Sequence, residues 1–266
     1  MVRVGLDTPE GPPADWGLAV ESTRATPSSR QRQRDAGSTA SDLGETTQRI
    51  GRKLVALGRV LRLTIDETQQ LASLASLAGN VIDLDLHIDF DIAADGWARV
   101  TYRQELFNMS DRPLARLPRE LWFEHTSGPL DILPIDQGAR RLAIQRIHDT
   151  PNLAKFACLL SPALQPGETT TIGFSCEGGQ FVSDHYWRQA MPRYTRRFTI
   201  SLRHRAATRL VTCTALEEHP DGSESSAADS LIWDTDGADV TITLTRDYLR
   251  PHQAITLRWE VAGATA

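Results

Sequence analysis

Asp83, Asp85, His87, Asp89 and Asp91 stand at every second position, a row of oxygen and nitrogen donors of the kind that holds divalent cations. Alternate residues on an extended strand lie about 6.5–7 Å apart, so only two of them can grip one ion unless a loop folds over the row. Arginines of a neighbouring strand, placed opposite the acids by the hairpin described below, supply the counter-charge. The row therefore reads as a solvated charge ladder rather than a cation site.

Asp184-His185-Tyr186-Trp187 offers a histidine beside a carboxylate, the pairing used for general-base chemistry. Adjacent residues on an extended chain point to opposite sides, however, and no serine or cysteine nucleophile stands in a GxSxG elbow. The Tyr186-Trp187 pair reads as a packing plug. The seven histidines show no HxH or HExxH spacing, which leaves zinc chemistry without a ligand set. Cys158, Cys176 and Cys213 are odd in number, widely separated and set among alternating apolar residues, the pattern of buried reduced thiols. No GxGxxG or GxxxxGK[ST] loop is present to cradle a phosphate. The expectation is a non-catalytic protein with no catalytic residue, no cofactor and no metal.

Two basic features are candidate interaction surfaces. Arg49, Arg52, Lys53, Arg59 and Arg62 have no acidic residue between them and, at about 100° per residue, spread over the face opposite Ile50, Leu54, Leu57 and Leu61. The second combines Tyr186, Trp187, Tyr194 and Phe198 with Arg193, Arg196, Arg197, Arg203, Arg205 and Arg209. Phe198, Ile200 and Leu202 alternate inward while Arg197, Thr199, Ser201 and Arg203 alternate outward, so a wet sheet face accounts for most of it. A net charge of −5 argues against nucleic-acid binding over the whole surface, because such binding relies on many lysines and arginines neutralising phosphates. Any basic patch is local.

The elements that must position these residues follow from the periodicity. Residues 1–40 are rich in Pro, Ser, Thr, Gly, Gln and Arg with few large apolar side chains, so ordering them costs entropy with little burial in return. They are expected to be a disordered tail. Within 41–80, Ile50, Leu54, Leu57, Leu61, Leu71, Leu74 and Leu77 recur at three- and four-residue steps, which predicts an amphipathic helical arm over 46–79. Thr64 with Glu67 has the spacing of a capping box and Gly79-Asn80 is a C-terminal stop, so one long helix and a two-helix hairpin are both allowed.

After Asn80 the period becomes two. Ile82, Leu84, Leu86, Ile88, Phe90 and Ile92 form one face, and Ala94-Asp95-Gly96 reads as a three-residue hairpin loop into residues 97–107. That loop pairs residue 93 with 97, sets Phe90 opposite Val100 and Ile88 opposite Tyr102, and brings Asp91 to Arg99 and His87 to Arg103, with Asp85 and Asp89 diagonal to Arg103. Further strands are expected at 119–125, 141–148, 154–160, 169–177, 196–205, 209–216, 230–234, 240–245 and 254–261. The turns between them fall at Ser127-Gly128-Pro129, Pro166-Gly167, Asp221-Gly222 and Asp236-Gly237. Short alternating strands at this spacing predict a mainly β protein, an antiparallel sandwich.

An internal echo adds to this. Leu164-Gln165-Pro166-Gly167-Glu168 leads into Ile172, Phe174 and Cys176, and Leu249-Arg250-Pro251-His252-Gln253 leads into Leu257, Trp259 and Val261. A leucine anchoring a proline turn before a final alternating strand resembles the closing strand of bacterial immunoglobulin-like modules, and that resemblance implies an immunoglobulin-like β-sandwich. Residues 81–178 and 179–264 then form two small packed sandwiches or one larger one.

With 40% hydrophobic residues the chain can bury a core, and neither a signal-type apolar region near the start nor a stretch of about 20 apolar residues is present. The expectation is a cytoplasmic, non-membrane interaction or assembly module of bacterial type. The arm would serve self-association through 46–79 or docking, and the sandwich would recognise a protein partner. The alternative is a DNA-associated regulator, since Leu63-Thr64-Ile65-Asp66-Glu67 is similar to the start of the second helix in helix-turn-helix domains. About 35 helical residues are too few for such a domain, and no recognition helix follows. A hydrolase on a sandwich scaffold rests on fold analogy alone.

Overall fold

A computed structural model describes residues 80–135, 140–182 and 185–263. The tail at 1–40, the arm at 46–79 and the basic residues Arg49, Arg52, Lys53, Arg59 and Arg62 lie outside the described residues. The described part is mainly β and opens with the hairpin of β1 (Val81–Ile92) and β2 (Trp97–Asn108). The Ala93 N–H donates to the Trp97 carbonyl at 2.8 Å and the Gly96 N–H to the Ala93 carbonyl at 2.9 Å. Gly96 takes φ +84°, the left-handed position that closes a three-residue loop. Phe90 faces Val100, Ile88 faces Tyr102, His87 faces Arg103 and Asp91 faces Arg99, the register the alternation predicts.

Twelve further strands follow. They are β3 (Leu114–Trp122), β4 (His125–Ile135), β5 (Arg141–Thr150), β6 (Leu153–Leu164), β7 (Thr169–Gln180), β8 (Tyr186–Ala190), β9 (Thr195–His204), β10 (Ala207–Glu218), β11 (Glu224–Ser226), β12 (Leu231–Asp236), β13 (Asp239–Leu249) and β14 (Ala254–Gly263). A seven-stranded sheet runs in the order β12-β13-β9-β1-β2-β7-β4, a four-stranded one β11-β10-β14-β8 and a three-stranded one β3-β6-β5. The described pairings are antiparallel except β1 with β9, which is parallel.

Two local expectations are corrected. Ser127-Gly128-Pro129 lies inside β4 instead of forming a turn, and the β4–β7 register shifts between Thr126 and Asp131 to absorb it. Because β4 is an edge strand, Pro129 and Pro134 need cost no ladder hydrogen bond, and Pro118 stands in the same way on the edge strand β3. No strand is expected between 177 and 196, yet the stretch around Tyr186 is regular. It forms β8, which pairs with β14.

The seven-stranded sheet takes β1, β2, β4 and β7 from the first half of the strand region and β9, β12 and β13 from the second. The halves are therefore not closed separately. They share one continuous sheet joined at β1–β9, and its inner side contributes Leu86, Ile88, Phe90, Phe198, Ile200 and Leu202 to a single core with Phe156 of β6 and Leu257 of β14. Phe156 stands edge-on to Phe174 at 5.3 Å and Trp187 to Phe90 at 4.9 Å, contacts that join each smaller sheet to the large one.

Candidate functional site

The outward side of the seven-stranded sheet is built by the residues that alternate with its buried ones. One register row crosses all seven strands through Ile232, Thr243, Ser201, Asp89, Thr101, Ser175 and Leu133, of which Ser175 is buried. Exposed Ile232 and Leu133 close the row at its two edges. Beside it the charges pair with one another. Arg103 reaches Asp89 at 2.6 Å, Arg203 reaches Asp239 at 2.6 Å, Arg99 reaches Glu177 at 3.3 Å, Arg197 reaches Asp247 at 3.4 Å, and Arg205 binds Asp91. His87 sits 2.9 Å from Asp89. Burial pushes the Asp89 carboxyl up, but the His87 hydrogen bond and the Arg103 charge outweigh it and hold the group below its ordinary value. The row is thus a charge ladder at His87, Asp89 and Asp91.

Asp83 is the exception. The register with β2 shifts between Asp83 and Asp85, a bulge that places Leu84 as an extra residue and turns Asp83 to the inside. It is 1% exposed. Gln104 Nε2 donates to its Oδ1 at 2.6 Å, Thr195 Oγ1 to its Oδ2 at 3.5 Å, and Arg193 Nη1 lies 3.6 Å from Oδ1. Arg119 donates in turn to Gln104 Oε1. Burial raises the Asp83 carboxyl above its usual range, with Arg193 and Arg119 opposing. The sequence does hold a signal for this: Leu106-Phe107 puts two apolar residues side by side in β2, where strict alternation would allow one.

Arg193 also lines a cavity of about 370 Å³ at the start of β1, with Asn80, Val81, Leu114, Arg116, Tyr194 and Pro251 in its wall. That volume is at the low end of the roughly 300–1,000 Å³ typical of ligand clefts. Tyr194, proposed from sequence as part of an aromatic–basic surface, is therefore in this wall, and burial pushes its hydroxyl up to about 12.

The structure does not assemble the rest of that surface. Trp187 is 7% exposed and packs on Phe90 and on Phe123 at 5.5 Å, because β8 alternation turns it inward while Tyr186 faces out. Tyr186 belongs to the four-stranded sheet, whereas Arg197 and Arg203 belong to the large one. Next to Tyr186, the His185 ring stacks on Trp259 at 5.6 Å and stands 5.5 Å from His204, while Asp184 lies outside the described residues.

Cys158 and Cys176 are buried and Cys213 half-buried, none in a disulfide. Burial pushes Cys158 and Cys213 up to about 11 and Cys176 up to about 12, so they stand as protonated thiols at neutral pH. Among the described residues no cluster of three His, Cys, Asp or Glu side chains could hold a metal ion, and no helix is long and apolar enough to cross a membrane.

No family model and no curated protein matches the sequence. Solved structures do resemble the fold. One is a candidate protease from Parabacteroides distasonis, with 8% identity over 68% of this chain and 40% of that one and a TM-score of 0.47. Another is an M1 zinc metallopeptidase from Deinococcus radiodurans, with 12% identity over 67% of this chain and 42% of that one and a TM-score of 0.37. The chain spans about two fifths of the length of the structures it resembles.

Proposed function

We propose that the protein is a non-catalytic, cytoplasmic interaction or assembly module. The β region presents the outward side of its seven-stranded sheet to a protein partner, and the arm at 46–79 serves self-association or docking. The observation that carries this reading is the pairing on that side. Arg99, Arg103, Arg197, Arg203 and Arg205 each already hold a carboxylate, so the surface offers mixed charge around a hydroxyl row instead of free cations for phosphates. Mixed charge with an apolar residue at each edge suits a protein partner.

An immunoglobulin-like kinship belongs to the same proposal. It is supported by Leu164 and Leu249, which are both buried ahead of the turns that lead into β7 and β14. The test that separates this reading from a DNA-associated regulator is titration with duplex DNA at low salt. No binding is expected; affinity that falls steeply with added salt would overturn the protein-partner reading.

A further inference from the structure

We infer that the cavity beside the start of β1 is filled in cis by residues 64–79 of the same chain, with Leu71, Leu74 and Leu77 against Val81, Leu114 and Pro118. The inference rests on the proposed role of the arm as a docking element and divides that arm in two.

Four observations point to this occupant. Asn80 and Val81 are themselves part of the cavity wall, so the chain enters the described region at the cavity's own rim. Leu77 is three residues from Asn80, within about 10 Å even on an extended chain. Leu71, Leu74 and Leu77 repeat at three-residue steps, an apolar stripe suited to Val81 and Leu114, which are half-buried and pack on the core. The wall is also basic and apolar. Arg116 is exposed and has no acidic partner among the described residues, none of which lines the cavity with an acidic side chain, while Arg193, the other cation of the wall, is paired with buried Asp83.

Charge then chooses between the two halves of the arm. Residues 64–79 carry Asp66 and Glu67 and no lysine or arginine, opposite in sign to the wall. Residues 46–62 carry Arg49, Arg52, Lys53, Arg59 and Arg62, the same sign as the wall, and like charges in juxtaposition oppose docking. The second stretch is the occupant, and the first is left for contacts away from the cavity. Intramolecular seating is favoured further because a tether this short makes the effective concentration of the leucines high, in the millimolar range for short linkers.

The test is disulfide trapping in the full chain carrying Cys213→Ser, which removes the least buried native thiol. With Leu74→Cys and Arg116→Cys, mild oxidation is expected to join residues 74 and 116 within one chain, seen as a faster-migrating monomer and as a linked peptide by mass spectrometry. The pair Leu57→Cys and Arg116→Cys should trap at least tenfold less. Equal trapping by both pairs, no trapping, or a link between two chains would each overturn the inference. As a second readout, Leu71→Ser, Leu74→Ser and Leu77→Ser together should speed hydrogen exchange at the Val81 and Leu117 amides at least tenfold, and unchanged exchange counts against the cis seat. Loss of trapping with self-association intact removes the seat alone, whereas loss of self-association with trapping intact removes the assembly role alone.

Discussion

The Asp83 carboxylate lies 3.6 Å from the Arg193 guanidinium, on the inner side of a sheet whose other β1 acids all face outward. Asp83 keeps its hydrogen bonds from Gln104 and Thr195, but without Arg193 its charge is buried and uncompensated. Arg193→Met is therefore expected to cost about 3 kcal/mol in urea unfolding at neutral pH, with much of this recovered by Asp83→Leu in the same chain. The sign with pH follows. Burial raises the folded Asp83 value above 3.8, so protonation favours the fold and stability is lost as pH rises through the folded value. The Arg193→Met deficit should shrink as the solution is acidified toward pH 3.8. A deficit that grows with acid would contradict this account of the pair.

Trp187 and Tyr186 are neighbours with opposite fates. Trp187 sits among Phe90, Phe123 and the core, so Trp187→Ala should cost about 4 kcal/mol by cavity formation. Tyr186→Ala, at the 37% exposed position, should stay within about 0.5 kcal/mol. Thermal unfolding of the two variants side by side checks the inward turn of β8.

His204 is 5% exposed, and burial depresses its ring below the ordinary 6.5, with the nearby His185 acting in the same direction and the Arg205 carbonyl and Asp239 against it. A depressed histidine contributes stability that is present above pH 6.5 and lost as pH falls through the folded value. His204→Gln should flatten this acid limb in a series of unfolding curves between about pH 7.5 and 5. A limb of unchanged slope would show that other groups carry it.

The two proline turns share more than letters. The Gln165 N–H donates to Glu168 Oε2 at 2.8 Å and the Arg250 N–H to Gln253 Oε1, while the Glu168 and Gln253 amides return to the Gln165 and Arg250 carbonyls at 3.1 and 3.2 Å. The third residue of each turn is left-handed, Gly167 at φ +81° and His252 at φ +70°. A side chain in that conformation costs about 1–2 kcal/mol. His252→Gly should raise stability by up to about 1 kcal/mol, and Gly167→Ala should lower it by about 1 kcal/mol, both read from urea midpoints.

The β1–β2 hairpin was legible because one face is wet and the other dry, and the Ala94-Asp95-Gly96 loop set the register through a single left-handed glycine. The diagonal Arg103–Asp89 pair followed from that register. Asp91 and Arg99 do stand opposite each other, yet each takes another partner, Asp91 the Arg205 of the turn after β9 and Arg99 the Glu177 of β7, which only the tertiary fold brings alongside. The parallel pairing of β1 with β9 joins residues such as Asp83 and Thr195, 112 positions apart, and no local pattern encodes it. The inward turn of Asp83 was hidden within β1, where one bulge flips a residue to the other face while leaving the letters in perfect alternation, and showed only in the Leu106-Phe107 pair of β2. Ser127-Gly128-Pro129 reads as a turn although an edge strand tolerates Pro129, and edge position is again a property of the sheet.

The most direct test of the assembly role is the mass of the full chain in solution by light scattering, across a concentration series, beside a full chain carrying Leu54→Ser, Leu57→Ser and Leu61→Ser. The account predicts an oligomer for the first and a monomer for the second, with the β signature of circular dichroism unchanged. A monomer in both at every concentration would contradict it.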